Sequence, residues 1–287
     1  MNYSKIIAGT MTWGNWGKQF SKKEMEAFMH HCIEQQITTF DHADIYGGYT
    51  NESQFGDAFA ESGIDREHIQ LISKCGIQYI TENRNNKVKH YDYSKDYIIW
   101  STENSLKHLK TDYLDLLLLH RPSPLMHPNE IAEAITILKK EGKIKSFGVS
   151  NFTPSQMELL GLRIDIDVNQ IEFSLTQHTA MHDGTLDYML TNGIKPMCWS
   201  PLGTVFKDET NQTQRIHKQL EALTDKYNAS KDQLLLAWIL KHPAQITPVV
   251  GTTNKERIVA ASKAATIDLD LEDWFLILTA CQGHKVP

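Results

Sequence analysis

The chain alternates short apolar runs with longer segments that have helical periodicity. The apolar runs are Thr38–Phe40, Ile69–Ile72, Tyr113–Leu119, Ile144–Val149, Val168–Ile171, Ile194–Trp199 and Ile246–Val250, with Ile6–Ala8 as a marginal eighth. The stretch YLDLLLLH is almost continuous in leucine, which is typical of a parallel strand buried on both faces. The pattern therefore predicts seven or eight strand–helix units along the chain.

The segments between the runs carry helix-start signals. Ser21 with Glu24 three residues later forms a capping box, and Thr153 is followed by proline at the first helical position. Asn254 is placed to cap the segment KERIVAASKAA. These signals predict that a helix begins after each of the three residues.

The order of elements limits the fold to two classes. Parallel strands that alternate with helices form either a (β/α)8 barrel or a doubly wound sheet. The dinucleotide fingerprint GxGxxG is absent, including from the segment Gly14–Gly17. No linker or low-complexity tract divides the chain. We therefore predict an α/β protein with a single (β/α)8 TIM barrel domain of parallel strands over residues 1–287.

Composition narrows the class of protein. The 287 residues are 41% hydrophobic and 22% charged, and the net charge of -6 argues against a sequence-independent nucleic-acid binder. No apolar run reaches the roughly 18 residues that a membrane span needs. The N-terminus lacks a signal-peptide pattern, and the four cysteines are scattered as in a reducing compartment. We expect a cytoplasmic protein with no membrane or nucleic-acid partner.

Ionisable residues follow three successive predicted strands. Asp41 follows ITTF, Lys74 follows IQLIS and His120 follows YLDLLLL. Each residue alone has an ordinary interpretation as a cap, a solvated tip or a structural histidine. The carboxyl ends of barrel strands meet at one rim, where such proteins build active sites. We therefore predict one site that contains all three residues, together with Tyr46, which is near Asp41 in the sequence.

These four residues suit the protonation of a carbonyl oxygen. A tyrosine phenol has a reference pKa near 10, and a nearby ammonium lowers that pKa by favouring the phenolate. We expect Lys74 to lower the pKa of Tyr46, and Asp41 to hold Lys74 charged. His120 with a neutral N–H would polarise the carbonyl. Such a set needs a hydride donor.

Seven motifs in register resemble the aldo-keto reductase family, in the bacterial NADPH-dependent branch. They are DHADIYGG, ISKCG, LLLLHRP, GVSNFTP, NQIEFS, SPLG and VVGTTNKERI, and the similarity runs from Gly9 to about Ala264. The resemblance implies a (β/α)8 barrel, reduction of a small aldehyde or ketone, and the tetrad Asp41, Tyr46, Lys74 and His120. It also implies NADPH as cofactor, with NADH less favoured and no metal.

The resemblance assigns cofactor contacts residue by residue. The cofactor-binding residues that it implies are Gly9, Thr10, Met11, Asp41, Ser150, Asn151, Gln170, Trp199, Ser200, Pro201, Leu202, Gly203, Gly251, Thr252, Thr253 and Arg257. Ser150, Asn151 and Gln170 would hold the nicotinamide amide, and Trp199 would stack on the ring. Arg257 would pair with the 2′-phosphate that distinguishes NADPH from NADH.

Some positions depart from the family pattern. His42 replaces a small residue, Ala261 replaces an adenine-contacting asparagine, and Gly251 stands where some members have lysine. The long polar segment Ile80–Tyr93 is expected to form a loop over the site. The short tail after Trp274 indicates an open pocket.

Other interpretations remain open on the residues alone. Lys74 could be the Schiff-base nucleophile of a barrel lyase, and the chain could be a non-catalytic NADPH-binding sensor subunit. His178 and His182 have metal-pair spacing but no predicted third ligand. We expect no metal there, and a monomer or weak oligomer.

Overall fold

A computed structural model describes residues 3–82 and 84–287, and eight of its strands form a closed parallel barrel. Within these residues, the strands in chain order are β1 (Ile7–Gly9), β2 (Thr39–Asp41), β3 (Gln70–Cys75), β4 (Ile77–Gln78), β5 (His90–Tyr91), β6 (Leu114–Leu119), β7 (Ile144–Ser150), β8 (Val168–Glu172), β9 (Lys195–Trp199) and β10 (Thr247–Val250). The barrel runs β1-β2-β3-β6-β7-β8-β9-β10, and β10 pairs back onto β1. This is the predicted (β/α)8 TIM barrel.

Helices cover the outside of the barrel. They are α1 (Lys22–Glu34), α2 (Asn51–Phe59), α3 (Lys95–Leu109), α4 (Pro128–Lys140), α5 (Pro154–Gly161), α6 (Thr185–Thr191), α7 (Asn211–Tyr227), α8 (Lys231–Leu240), α9 (Lys255–Ala264) and α10 (Leu271–Gln282). None of the described helices is long and apolar enough to cross a membrane.

The three predicted helix starts are confirmed. Ser21 and Glu24 bond reciprocally at the start of α1, as a capping box does. Thr153 caps α5 with Pro154 at its first position. The Asn254 side chain accepts the backbone N–H of Arg257 in α9. Each cap fixes where the chain leaves the barrel rim and turns back along the outside.

The leucine-rich run is explained by burial on both faces of β6. Leu116 and Leu118 belong to the cluster inside the barrel, whereas Leu117 and Leu119 belong to the cluster under the helices. The marginal run Ile6–Ala8 is a strand for the same reason, because Ile7 lies in the inner cluster while Ile6 and Ala8 lie in the outer one.

The segment Ile80–Tyr93, expected to be a loop, ends in the short strand β5. This strand pairs with β4, which precedes the segment, and an isolated bridge joins Thr81 and Arg84 nearer the tip. The first strand begins directly after Gly76, whose φ is +110°. A side chain there would collide with the Tyr93 ring, so glycine permits the tight return of the hairpin onto the barrel.

Candidate active site

Three ionisable residues meet at the carboxyl-terminal rim of the barrel. Asp41 ends β2, Lys74 is the second-last residue of β3 and His120 follows β6 directly. Their exposed fractions are 2%, 1% and 8%. Because these three strands are neighbours in the barrel, the three side chains are enclosed together.

The Lys74 ammonium donates to three acceptors. Its Nζ lies 2.7 Å from Asp41 Oδ2, 2.8 Å from the His42 carbonyl and 3.3 Å from the Tyr46 hydroxyl. An ammonium has three N–H donors, so all of them are used. The arrangement fixes Lys74 beside the phenol of Tyr46 and leaves no donor spare.

The predicted fall in the pKa of Tyr46 is wrong for the protein alone. Burial raises the pKa of the phenol, and the lowering effect of Lys74 does not outweigh it. Burial would lower the pKa of Lys74, but Asp41 and Tyr46 raise it above its ordinary value. Tyr46 is therefore protonated and Lys74 charged at neutral pH, which makes the phenol an available proton donor.

The His120 ring lies beside the Tyr46 ring. The two ring centroids are 6.1 Å apart. Burial, together with Lys74 and Arg121, holds the pKa of His120 well below its usual value. Its Nδ1 is buried and has no partner among the described residues. His120 is consequently a neutral imidazole that can form a further hydrogen bond.

A continuous hydrogen-bonded chain joins the tetrad to Trp199. Gln170 Nε2 donates to Asp41 Oδ1 at 2.9 Å, and the backbone carbonyl of Gln170 accepts from Ser150 Oγ at 2.8 Å. Asn151 Nδ2 donates to Ser150 Oγ at 2.7 Å, and its Oδ1 accepts the Trp199 indole N–H at 3.0 Å. Ser150, Asn151, Gln170 and Trp199 therefore share the rim with Asp41. Gln170 also orients the Asp41 carboxylate.

The hydroxyl of Thr10 contacts His42, the histidine that stands directly after Asp41. Its hydroxyl donates to the Asp41 carbonyl at 3.0 Å and contacts His42 Nδ1 at 2.9 Å, while Asn51 Nδ2 lies 3.2 Å away. Since the hydroxyl hydrogen is used, His42 donates from Nδ1. Its fully buried ring packs edge-on against Phe55, and burial lowers the pKa of His42 to about 3. His42 is thus a neutral structural residue.

The residues around Thr10 line the same rim. Gly9 pairs in register with Asp41, and a side chain at Gly9 would press on Val249. Met11 is 44% exposed, so it lies on the solvent side of the site.

The segment after Trp199 is a tight turn. Ser200 and Gly203 have positive φ values of 52° and 53°, and the Gly203 N–H donates to the Ser200 carbonyl at 2.8 Å. A Cβ at Gly203 would collide with Thr176 Oγ1, so the turn requires glycine. Pro201 is buried and Leu202 packs partly on the core.

The turn before α9 is open to solvent. A Cβ at Gly251 would meet no described atom within 4 Å. Thr252 and Thr253 are half-buried, and Arg257 is exposed in the first turn with Lys255 and Glu256. Free backbone N–H groups and cations at a helix N-terminus suit an anionic group. Gly251 follows β10 directly, so this turn lies at the same rim of the barrel as the tetrad.

The sequence did not single out two rim residues. The Trp16 ring lies 6.2 Å from the Tyr46 ring and 5.7 Å from that of Tyr79 in the hairpin. The Arg121 guanidinium carbon lies 5.2 Å from the centroid of the Trp199 ring. The sequence offered only a tryptophan within GNWG and an arginine directly after His120 as signals.

Two further buried acids lie beside the tetrad. Burial, together with Glu52, raises the pKa of Asp44 to about 8, and burial raises that of Glu52 to about 7. Ser101 Oγ donates to Asp44 at 3.0 Å, and Ser73 Oγ donates to Glu52 at 2.5 Å. They line a cavity of about 250 Å³ between α2 and α3. These bonds make the pair part of the packing of α2 and α3 against the barrel.

The histidine pair has no third potential metal ligand beside it among the described residues. His178 and His182 flank a single turn of 3-10 helix with ring centroids 5.6 Å apart. Among residues 3–82 and 84–287, no group of three or more potential ligands could hold a metal ion.

Comparison with known proteins places this geometry in a family. The family model described as "Aldo/keto reductase family" matches residues 5–279. The uncharacterized oxidoreductase YcsN of Bacillus subtilis is 44% identical, covering 100% of this chain and 97% of its own. The 6-dehydroglucose reductase of Agrobacterium fabrum is 36% identical, covering 100% and 97%.

The fold is also similar to that of a solved structure. A crystal structure of an aldo/keto reductase from Klebsiella pneumoniae, in complex with NADP and acetate, superposes with a TM-score of 0.81. It is 25% identical and covers 99% of this chain and 93% of its own. The family model and the relatives cover nearly the whole chain, and the chain belongs to the aldo/keto reductase family.

Proposed function

We propose that this protein reduces aldehyde or ketone carbonyls to alcohols, with NADPH as hydride donor and Tyr46 as proton donor. The observation that carries the proposal is the buried Tyr46 hydroxyl, 3.3 Å from a Lys74 ammonium that is itself fixed by Asp41. A buried phenol held protonated beside a fixed positive charge can release its proton to a developing alkoxide, because the ammonium stabilises the phenolate that remains.

Each tetrad residue has a separate role in this proposal. Lys74 stabilises the phenolate of Tyr46, and Asp41 keeps Lys74 charged and in place. Neutral His120 donates an N–H to the carbonyl oxygen, which orients the substrate and polarises its C=O bond. Gln170 holds the Asp41 carboxylate from the opposite side.

The residues of the rim fit a nicotinamide dinucleotide. When bound, the cofactor supplies the hydride. Ser150 and Asn151 would hold its amide, Trp199 its ring, and the turn Ser200–Gly203 its pyrophosphate. The open Gly251 turn and the exposed Arg257 supply room and positive charge for the 2′-phosphate. The NADP complex of the Klebsiella relative supports NADPH as the cofactor. We also propose that residues 1–287 form a single domain.

A binding and turnover assay tests the proposal. NADPH should quench tryptophan fluorescence through Trp199, and its absorbance should fall when aldehydes and ketones are added. The panel should include 6-dehydroglucose, because a relative is named for it. NADPH binding without turnover of any carbonyl would contradict the enzyme and favour the sensor alternative.

The Schiff-base alternative is less compatible with the geometry. A nucleophilic lysine must be neutral, whereas the pKa of Lys74 is raised by Asp41 and Tyr46 despite its burial, and all three of its donors are used. Borohydride trapping of a substrate on Lys74 would reverse this preference.

The rate of carbonyl reduction is expected to have a broad pH plateau. Burial raises the pKa of Tyr46 above 10 and lowers the pKa of His120 well below 6.5. Tyr46 therefore stays protonated, and His120 neutral, from about pH 6 to about pH 9. The measurement is kcat/KM for one aldehyde against pH with NADPH saturating. A loss of rate with rising pH, centred at or below pH 8, would show that the Tyr46 phenol is more acidic than its burial implies.

Removing the charge of Arg257 should weaken discrimination between the two cofactors. Arg257→Gln is expected to raise KM for NADPH by about tenfold or more and to leave KM for NADH almost unchanged, because only NADPH carries the 2′-phosphate. Lys263→Gln, at the other end of α9, is the matched control. Equal effects of Arg257→Gln on both cofactors would remove Arg257 from the phosphate site.

A further inference from the structure

Arg121 carries a positive charge without a counter-ion at the mouth of the site, by which we mean the part of the rim between His120 and Trp199. It follows His120 directly, and its guanidinium lies near the Trp199 ring. No hydrogen bond or ion pair joins the guanidinium to any described residue, and the ring offers no conventional hydrogen-bond acceptor. Its five N–H donors are therefore available at a half-buried position on the rim.

The backbone of Arg121 is fixed although its side chain is unpaired. The Tyr93 hydroxyl donates to the Arg121 carbonyl and accepts the Arg121 N–H at 3.1 Å. Tyr93 is itself 5% exposed and packs against the glycine at position 76. This clamp fixes the backbone position from which the Arg121 side chain extends toward the Trp199 ring.

The charges of the site leave Arg121 without a counter-ion. The opposite charges of Asp41 and Lys74 form an ion pair, while His120 and Tyr46 are neutral. The charge of Arg121 opposes the rise that burial causes in the pKa of Tyr46, and it adds to the effects of burial and Lys74 that lower the pKa of His120. Glu172 ends β8 in register with Trp199, but it is exposed and forms no ion pair with a described residue. Arg121 therefore has no counter-ion in contact with it among the described residues.

We propose that Arg121 binds the carboxylate of carbonyl substrates that carry one, so that this protein prefers aldehydes or ketones with a carboxylate near the reacting carbonyl. This inference rests on the proposed carbonyl reduction and names its substrate class. A guanidinium matches a carboxylate with two parallel hydrogen bonds. The carboxylate binds Arg121 beside Trp199 while the carbonyl oxygen reaches Tyr46 and His120.

The test compares charged aldehydes with neutral ones of similar shape. The probes are 3- and 4-carboxybenzaldehyde, with 3- and 4-nitrobenzaldehyde as neutral counterparts. For the unaltered chain, kcat/KM should favour at least one carboxy compound, and raising the salt to about 1 M should reduce the preference. Arg121→Met should lower kcat/KM for that compound by about 10- to 100-fold, mainly through KM, and change the nitro compounds little.

Two control variants separate charge from structure. Arg121→Lys should recover part of the preference, because a lysine keeps the charge but loses the two parallel bonds. Arg163→Met removes an exposed arginine that follows α5 and donates to Asn129 at the start of α4, and it should leave the preference unchanged. An Arg121→Met variant with the full preference for carboxybenzaldehyde would overturn the proposal.

A binding measurement keeps this inference separate from the proposed reaction. Benzoate affinity, measured by calorimetry with and without NADP, should fall about tenfold or more in Arg121→Met. If no aldehyde is reduced but benzoate binding depends on Arg121, the proposed reaction fails and the carboxylate site stands. If the nitrobenzaldehydes are reduced and benzoate binds both variants equally, the reaction stands and Arg121 is not the carboxylate site.

Discussion

Tyr46→Phe is expected to lower kcat for carbonyl reduction by at least about 10²-fold while NADPH still binds. The change removes one hydroxyl, which is the only proposed proton source for the alkoxide. The phenyl ring still packs near His120 and Trp16, so the shape of the site is kept. The measurements are single-turnover reduction of an aldehyde and NADPH quenching of tryptophan fluorescence.

Tyr49→Phe is the matched control for this variant. The Tyr49 hydroxyl donates to the Ile77 carbonyl and accepts the Tyr79 N–H, so it belongs to the hairpin contact and not to the tetrad. Its loss should change kcat by no more than a few-fold. A Tyr46→Phe variant that reduces aldehydes at the original rate would require another proton donor.

Lys74→Met is expected to impair both stability and activity. Removing one partner of a buried ion pair leaves the other charge uncompensated, which costs about 3–5 kcal/mol. Here the Asp41 carboxylate, 2% exposed, would lose the ammonium 2.7 Å away. The free energy of unfolding in denaturant should fall by that amount, and the reduction rate should fall by at least about 10²-fold.

A second substitution separates the two effects of Lys74→Met. The double variant Asp41→Asn, Lys74→Met removes both charges and should recover most of the lost stability while staying inactive. The control Lys95→Met breaks an exposed pair with Glu133 and should cost no more than about 1 kcal/mol. Equal unfolding free energies for Lys74→Met and the unaltered chain would mean that Asp41 is not buried as a charge.

The barrel was predictable because its signals are local. The run of leucines in β6 reflects burial on two faces, and the caps at Ser21, Thr153 and Asn254 are satisfied within three residues. The hairpin after Gly76 was not predicted, because its two strands have only two residues each and pair with each other rather than with a barrel strand.

The sequence by itself determined that polar residues end three neighbouring strands and would share a rim. Only the tertiary structure decided how they interact. Gln170 reaches Asp41 across 129 positions of the chain, and Arg121 lies over Trp199 from another strand end. The direction of the pKa of Tyr46 also depends on how deeply the fold buries the phenol, which opposes the nearby Lys74. Burial and long-range contacts are properties of the closed barrel, and no local pattern encodes their magnitude.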